Sequence, residues 1–390
     1  MNVTSHRTTM SIAKIVIFGS GSFGTALASL VAANAREVVI LTRRMDVANG
    51  INRSHRNPMH LSAFTLPTNV RATTEAKEAV RDAYAIVHAI PTQHSEGFLL
   101  TVREHIEVKT LMICCAKGLD ERTLELAHET FARVLGIGHP CAFFGGPTFA
   151  RELIQGTPSG GVMAARDMTT AERAAACFRG PTMRVYPSTD VVGVEIGGAL
   201  KNVIAILCGG LEGMGLGVNA QTLLVTRGCR EIMRFGVAMG AREHTMWGLS
   251  GVGDLMLTCL GNASRNKAVG IAFGKGQNIK DILDARAQTL EGVAEGVATA
   301  PAAERLAAKL GIEAPMIATC AACLRGELDA SEALQRCMAL PIKPDEPLIN
   351  EKDRRASRAT PSIAALCLAT LIMNLVVTVV VSKKMRALGK

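Results

Sequence analysis

Residues 12–28, IAKIVIFGSGSFGTALA, decide the fold class of the N-terminal half of this chain. The first part of this stretch is mostly apolar and rich in β-branched side chains, which predicts a buried strand. The three glycines that follow predict a tight turn, and the remaining residues begin a helical pattern. A second apolar strand is predicted at residues 37–42, so that strand, helix and strand together occupy about thirty residues. This is the context in which a G-x-G-x-x-G motif holds the pyrophosphate of a dinucleotide at a helix N-terminus.

The glycine loop therefore predicts the cofactor-binding residues of this half. The turn must be tight, the backbone must approach the pyrophosphate, and the next helix must present free N–H groups, which assigns this role to Gly19, Gly21, Ser22, Phe23 and Gly24. NAD-preferring sites place a carboxylate about twenty positions further on, but the second strand ends here in Arg43 and Arg44. An arginine at this position can stack on adenine or pair with a 2′-phosphate. For each of the two arginines taken alone, a solvated side chain that contacts no ligand is equally consistent with the sequence. The predicted cofactor is NAD, and the use of NADP stays open.

Strand-like runs continue to about residue 165, and the character of the chain then changes. Further strands are predicted at residues 84–90, 110–115, 141–144 and 161–165, which makes the first part an α/β Rossmann domain with a doubly wound sheet. Beyond about Asp190 the chain contains Ala- and Leu-rich stretches of helical period without strand runs, at residues 194–207, 221–239 and 301–310. We predict a Rossmann dinucleotide-binding domain at residues 1–190, an all-α substrate and catalytic domain at 191–345, and a linker with a hydrophobic tail at 346–390.

Composition limits the classes of function. The chain has 390 residues and 48% hydrophobic content, which favours two folded units with a sizeable core. Its net charge of +9 is spread along the sequence, and no long basic block precedes the tail, so we predict no nucleic-acid partner. The 11 cysteines are irregularly spaced, and the C-x-x-C at Cys320 and Cys323 lacks a second Cys or His pair nearby. We predict free thiols in a reducing compartment and no metal site.

Five short blocks of sequence point to one family. They are CAKGL at residues 115–119, GPTFA at 146–150, VEIGGALKNV at 194–203, GDLMLTC at 253–259 and SRN at 264–266. Together, and in this order, they resemble the NAD-dependent glycerol-3-phosphate dehydrogenases across roughly residues 12–340. SRN and the later VAEG at residues 293–296 resemble the bacterial type of the enzyme, which the organelles of some eukaryotic parasites also use.

The resemblance implies reversible hydride transfer between NAD(H) and glycerol 3-phosphate or dihydroxyacetone phosphate. It assigns Lys201 as the proton acceptor and donor, and a lysine serves in this role only if burial or a neighbouring cation lowers its pKa. Lys117 is the expected cation and would also polarise the ketone oxygen. Asp254 and Thr258 stand four residues apart, which places them on one face of a predicted helix and allows both to approach the reacting hydroxyl and Lys201.

The remaining site residues also follow from the resemblance. The substrate phosphate needs a fixed set of donors, which Arg265 with Ser264 and Asn266 would provide at the start of a helix. A plain N-cap at Ser264 followed by solvated charges is the alternative. The other predicted substrate contacts are Gly146, Thr148 and Asn202. The other predicted cofactor contacts are Lys117, Ala150, Arg265 and Glu295, the last in competition with Glu291 because the chain carries an insertion here.

Two other functions and the location in the cell stay open at this stage. Another β-hydroxyacid-type dehydrogenase would share the fold and the lysine but lack the SRN phosphate clamp, and a non-catalytic, membrane-tethered NAD sensor is favoured only by the tail. Residues 362–381 carry no charge and are long enough to cross a membrane, but Ser, Thr and Asn dilute their hydrophobicity. A docked helix or a misread gene end is as consistent as a tail anchor. We predict a cytoplasmic or glycosome-like location, a homodimer, and a start at Met1 or Met10.

Overall fold

The N-terminal domain is built on one eight-stranded sheet. The computed structural model describes residues 12–287 and 294–341. The strands are β1 (Ile12–Phe18), β2 (Ala35–Leu41), β3 (Val70–Thr73), β4 (Ala85–His88), β5 (Leu111–Cys114), β6 (Cys141–Gly145), β7 (Ser159–Ala165) and β8 (Met183–Ser188). They lie in the order β3-β2-β1-β4-β5-β6-β7-β8, and neighbouring strands pair in parallel except β6 and β7.

Helices cover this sheet and form the whole of the described second domain. The helices of the first domain are α1 (Ser22–Val31), α2 (Met45–Ser54), α3 (Ala76–Val80), α4 (Thr92–Val102), α5 (Ala127–Leu135), α6 (Ala150–Ile154) and α7 (Met168–Ala176). Those of the second are α8 (Val191–Gly213), α9 (Val218–Ala238), α10 (Glu243–Met246), α11 (Asp254–Leu260), α12 (Arg265–Gly274), α13 (Ile279–Ala287), α14 (Glu295–Leu310), α15 (Pro315–Leu324) and α16 (Ala330–Met338). The predicted class, a Rossmann α/β domain followed by an all-helical domain, is confirmed.

The structure also corrects the sequence analysis in three places. It adds β3 and β8, which lie at the two edges of the sheet and carry polar residues where a central strand would carry an apolar run. The sheet is mixed, because β7 runs antiparallel to β6. Helix α14 begins at Glu295, not at residue 301, and Pro301 lies inside it. Hydrogen bonding of the Gly296 N–H to Asn266 Oδ1 at 2.9 Å fixes the earlier start.

The strand order reverses between β1 and β4, and the functional loops leave the sheet at that point. Phe18 at the end of β1 is in register with Leu41 on one side and with His88 on the other, and His88 is in register with Cys114. The loops after these strands therefore emerge at one edge of the sheet. In open α/β sheets the crevice at this switch point is the place where ligands bind.

Two glycines are required by the geometry of the loop after β1. Gly19 has φ of +105°, a conformation that other residues rarely adopt. A Cβ at Gly24 would lie 2.0 Å from the carbonyl oxygen of Gly19. Only glycine therefore lets α1 approach the loop this closely.

Helix α8 is the centre of the helical domain. Asp190 caps it, because its Oδ1 accepts the N–H of Gly193 at 3.0 Å and its Oδ2 accepts the N–H of Arg242 at 2.8 Å. By length and composition α8 would suit a membrane span, but 83% of its most apolar window is buried inside the protein. Its apolar surface is covered by the neighbouring helices, as expected of a helix that is hydrophobic all round at the centre of a core.

Helices α8 and α12 cross in direct backbone contact. A Cβ at Gly209 of α8 would lie 2.1 Å from the carbonyl oxygen of Lys267, and one at Gly270 of α12 would lie 1.9 Å from that of Ile206. Any larger residue at either position would push the two helices apart. The glycines therefore set the distance between the axes of α8 and α12.

We expect Gly270→Ala to lower the free energy of unfolding by about 1–3 kcal/mol, because the added methyl group collides with the backbone of α8. The matched control is Gly97→Ala in α4, where a Cβ would meet nothing within 4 Å. That change should raise the free energy of unfolding by roughly 0.5–1 kcal/mol, because alanine loses less backbone entropy in a helix. Urea denaturation of both variants measures the difference. Equal stability of Gly270→Ala and the unmodified protein would contradict the described crossing.

Candidate active site

Two lysines, one from each domain, meet at a single carboxylate. Lys117 lies in the loop after β5, Lys201 lies in α8, and Asp254 is the first residue of α11. The Nζ of Lys117 donates to Asp254 Oδ2 at 2.7 Å, and the Nζ of Lys201 donates to Asp254 Oδ1 at 2.5 Å. Asp254 is fully buried, and the side chains of Lys117 and Lys201 are only 12% and 9% exposed. The structure thus brings three of the predicted site residues into one ion cluster.

Lys201 is also bonded to Thr258, one turn further along α11. Its Nζ donates to Thr258 Oγ1 at 2.8 Å, and the hydroxyl of Thr258 donates to the backbone carbonyl of Asp254 at 2.6 Å. Burial lowers the pKa of Lys201, the carboxylate of Asp254 raises it and the nearby charge of Lys117 lowers it, and together these effects bring the pKa to about 8. A lysine with this pKa can both accept and donate a proton near neutral pH.

A π-helical turn at Leu249–Gly253 places Asp254 against α8. A Cβ at Gly251 of this turn would lie 1.9 Å from the carbonyl oxygen of Met246. On the facing side, a Cβ at Gly197 of α8 would lie 2.5 Å from the carbonyl oxygen of Ser250. Glycine at position 197 lets the turn lie directly on α8, one helical turn before Lys201, and glycine at position 251 lets it lie against the end of α10. Such turns recur at functional sites, where they change the direction of a following side chain.

The GPTFA segment after β6 forms one wall of the cleft. Gly146 has φ of +143°, and its carbonyl oxygen accepts from Lys117 Nζ at 3.1 Å. Thr148 is buried, and its hydroxyl donates to the same carbonyl at 3.3 Å. Ala150 begins α6 two residues later. Gly146 and Thr148 therefore lie beside the lysine cluster.

The SRN triplet lies at the N-terminus of α12, the position that its predicted role in anion binding requires. Ser264 caps the helix, because its Oγ accepts the N–H of Lys267 at 3.2 Å. Arg265 is exposed, and its side chain makes no hydrogen bond to any residue that the structure describes. Asn266 points inward: its Nδ2 donates to Asn202 Oδ1 at 2.8 Å, and its Oδ1 accepts the N–H of Gly296. The amides of Asn202 and Asn266 thus link α8, α12 and α14 to one another.

Glu295 connects the helical domain to the first residue of α4. Its Oε1 accepts the N–H of Thr92 at 3.1 Å. Burial raises the pKa of Glu295, whereas the bond from Thr92 and the charges of Arg265 and Lys117 oppose this rise. Its competitor, Glu291, lies outside the described residues. Thr92 was not predicted from the sequence, and no motif there indicated it.

The N-terminus of α1 fits a dinucleotide. No side chain caps it, and the first N–H with a backbone partner is that of Thr25, so the N–H groups of Ser22, Phe23 and Gly24 remain available to a phosphate. A Cβ at Gly21 would meet no protein atom within 4 Å, so close approach to a ligand, not packing, explains glycine there.

The far end of this crevice is cationic. Arg43 and Arg44 are both exposed after β2, and Arg44 pairs with Asp46 at 2.6 Å. His60 was not predicted, because its loop carries no recognisable pattern, but its Nδ1 lies 3.4 Å from Ser22 Oγ. Burial, followed by the charges of Arg265 and Arg44, lowers the pKa of His60. His60 thus lies beside the glycine loop, within range of the charges of Arg265 and Arg44.

The comparisons with known proteins agree on one family. Residues 14–171 match the family described as NAD-dependent glycerol-3-phosphate dehydrogenase N-terminus, and residues 190–335 match its C-terminus. A Brucella ovis protein named glycerol-3-phosphate dehydrogenase (NAD(P)+) is 40% identical over 333 residues, which cover 85% of this chain and 99% of that protein. A crystal structure of the glycerol-3-phosphate dehydrogenase of Coxiella burnetii has a TM-score of 0.78 at 30% identity. The match covers 84% of this chain and 99% of the Coxiella chain. A probable 2-dehydropantoate 2-reductase from Bacillus subtilis, at 14% identity and a TM-score of 0.51, shares the fold alone; coverage is 81% of this chain and 100% of that one.

The ion cluster predicts opposite pKa changes of Lys201 in two variants. Asp254→Asn removes the charge that raises the pKa of Lys201, so we expect the pKa of Lys201 to fall below about 8 in this variant. Lys117→Met removes a neighbouring cation, so we expect the pKa of Lys201 to rise above about 8 in that variant. Heteronuclear NMR of the lysine side chains as a function of pH measures both. A change in the same direction in the two variants would contradict the arrangement.

Proposed function

The chain belongs to the NAD-dependent glycerol-3-phosphate dehydrogenase family, and we propose that Lys117, Lys201 and Asp254 form its catalytic centre. The enzyme transfers a hydride reversibly between NAD(H) and glycerol 3-phosphate or dihydroxyacetone phosphate. The observation that carries the residue assignment is the shared Asp254 carboxylate, which holds both lysines at the edge of the sheet where the glycine loop begins.

Lys201 holds and moves the proton of the secondary hydroxyl. An ammonium group has three N–H donors, and in Lys201 two of them are used by Asp254 Oδ1 and Thr258 Oγ1. The third position of the Lys201 nitrogen remains for the substrate oxygen. In the ammonium form it is an N–H that donates to the ketone oxygen during reduction, and in the neutral form it is a lone pair that accepts the hydroxyl proton during oxidation. Because the pKa of Lys201 is about 8, both forms are populated near neutral pH.

Lys117 stabilises the charge on the same oxygen. Two of its donors are used by Asp254 Oδ2 and the carbonyl of Gly146, so one donor again remains. A positive charge fixed at this place stabilises the developing alkoxide more than the neutral ketone, which lowers the barrier to reduction. Its position is set before the substrate arrives, because Asp254 is buried and already bonded to both lysines.

Arg265 binds the phosphate of the substrate at the N-terminus of α12. It is the exposed cation of the triplet, and helix N-termini favour anions. Ser264 can still donate its hydroxyl proton, since Oγ only accepts from Lys267. The predicted substrate contacts of Asn202 and Asn266 stay predictions; their amides bond to each other and to Gly296, and so link the helix that begins at Arg265 to α8 and α14. Gly146 and Thr148 form the wall on the opposite side.

The dinucleotide would be held by the residues that line the crevice from α1 to Glu295. When bound, the nicotinamide supplies or accepts the hydride. The N-terminus of α1 would bind the pyrophosphate, Arg43 and Arg44 the adenosine end, and Ala150, Arg265 and Glu295 the nicotinamide side. The cationic surroundings of Arg43 and Arg44 support the use of NADP as well as NAD, in agreement with the name of the Brucella relative.

The other readings of the sequence are less well supported. A non-catalytic sensor does not need a lysine whose pKa is lowered beside a second cation, and a dehydrogenase for unphosphorylated acids does not need Arg265 at a helix N-terminus. The homodimer and the cytoplasmic or glycosome-like location stay predictions. The tail at 362–381, on which membrane association depends, lies outside the described residues.

We expect Lys201→Met to reduce turnover by about 10²–10⁴-fold, the usual contribution of a positioned acid or base. In the unmodified enzyme, kcat/KM for oxidation of the alcohol should rise as the pH passes through about 8, because the neutral lysine is the base, and kcat/KM for reduction should fall over the same range. Absorbance at the nicotinamide band measures both. Unchanged turnover in Lys201→Met would remove this residue as the proton carrier.

We expect Arg265→Ala to raise the KM for dihydroxyacetone phosphate by roughly 10–100-fold, as loss of ~1.5–3 kcal/mol of charge-assisted hydrogen bonding implies. The KM for NADH should change much less. The matched control is Arg336→Ala, an exposed arginine on α16, which should leave both values unchanged. Equal activity of the unmodified enzyme on dihydroxyacetone and its phosphate would contradict a phosphate site.

A further inference from the structure

The helical domain carries a large cavity that contains no residue of the lysine cluster. It has a volume of about 790 Å³ and lies between the C-terminal half of α8, one face of α9 and the helices α14 to α16. We call it the α8–α9 groove. Five of its lining residues are charged, and all the others are apolar or glycine. A mostly apolar cavity of this size with a few polar groups is typical of sites that bind small molecules.

Helix α9 gives the groove one apolar end and one charged end. The α9 side chains that line it follow one helical face, in the order Ala220, Leu223, Leu224, Arg227, Glu231 and Arg234. At 1.5 Å per residue this face is about 21 Å long. Its first three residues are apolar, and its last three are charged. An occupant that lies along α9 therefore passes from an apolar wall to two arginines.

Two acids of the groove are used by the protein itself. Glu231 accepts the N–H of Met316 at 2.8 Å and that of Ile317 at 3.1 Å, and so caps the first turn of α15. Glu304 pairs with Arg325, whose Nη1 lies 2.6 Å from its Oε2. The charges of both carboxylates are therefore directed at groups of the protein and not at an occupant.

The two arginines are not satisfied in the same way. The Nη1 of Arg234 lies 3.9 Å from the Oε2 of Glu313, which is beyond hydrogen-bond distance. The Nε of Arg234 is buried and has no hydrogen-bond partner among the described residues. Arg227 is exposed, and its side chain also makes no hydrogen bond to a residue that the structure describes. A buried N–H without an acceptor is costly, so the charged end of the groove lacks an anion.

Both arginines act on one place, the carboxyl group of Glu231. Burial raises the pKa of Glu231 to about 7, whereas the bonds from α15 and the charges of Arg234 and Arg227 oppose this rise. The two guanidinium groups are thus close enough to act on one anionic group. Guanidinium groups bind carboxylates through paired, charge-assisted hydrogen bonds.

We propose that the α8–α9 groove binds a long-chain fatty acid, with its carboxylate on Arg227 and Arg234 and its chain directed toward Ala220. A small anion alone would leave the apolar end uncovered, where Leu223 is 52% exposed. An uncharged hydrocarbon would leave the buried Nε–H of Arg234 without an acceptor. A fatty acid supplies an acceptor and an apolar chain in the order in which α9 presents their partners.

Calorimetric titration of the full chain with dodecanoate tests this proposal. We expect saturable binding with one site per chain. Octanoate should bind more weakly, because it buries fewer methylene groups. Dodecyltrimethylammonium has the same length of chain but a cationic headgroup, so we expect no binding to the groove.

Variants at the two ends of the groove test the orientation of the fatty acid. Arg234→Met and the exposed Arg227→Met should each weaken dodecanoate binding by about 10–100-fold, which corresponds to ~1.4–2.7 kcal/mol. The matched control is Arg53→Met, an exposed arginine on α2, which should leave the affinity unchanged. Ala220→Trp shortens the apolar end, so it should weaken the binding of dodecanoate much more than that of octanoate.

Three results would overturn the proposal. In the first, the unmodified chain does not bind dodecanoate. In the second, the double variant Arg227→Met/Arg234→Met binds it as tightly as the unmodified chain, which means adsorption to an apolar surface only. In the third, the affinity for dodecanoate falls as the protein concentration rises, which identifies a second copy as the cover of the groove. None of these variants changes the lysine cluster, so turnover reports separately on the proposed function.

Discussion

The structure depends on the burial of two ammonium groups around one carboxylate. Isolated charges are costly to remove from water, and a carboxylate between two lysines offsets only part of that cost. The remaining excess of positive charge, together with burial, keeps the pKa of Lys201 near 8. Since Lys117 belongs to the Rossmann domain and Asp254 to the helical domain, the same ion cluster also ties the two domains together at the cleft. The same ion cluster therefore sets the pKa of Lys201 and holds the two domains together.

Local pattern was sufficient for much of the fold and for part of the site. The strand, glycine turn and helix at residues 12–28 are encoded in adjacent residues, and the spacing of Asp254 and Thr258 already placed both on one helix face. Edge strands β3 and β8 were missed because solvent on their outer side removes the apolar run that reveals a central strand. Pro301 suggested a helix start, but the bond from Gly296 to Asn266 extends α14 upstream.

Two residues near the candidate site were not predicted from the sequence. Thr92 contacts Glu295 through its backbone N–H, and His60 reaches Ser22 from a long loop, so neither side-chain type nor spacing indicates them. The family resemblance predicts that Asn202 and Asn266 contact the substrate. In the folded chain they meet each other across 64 residues, a contact that only tertiary packing determines.

The glycine crossing of α8 and α12 has a consequence for selectivity. Lys201 lies on α8 about two turns before Gly209, and Arg265 begins the helix that carries Gly270. Because main chain touches main chain there, the backbone positions of Lys201 and Arg265, the proposed proton carrier and the proposed phosphate ligand, are fixed relative to each other. In the proposed site, this fixed backbone spacing would favour substrates whose hydroxyl and phosphate are separated by one particular length of carbon skeleton.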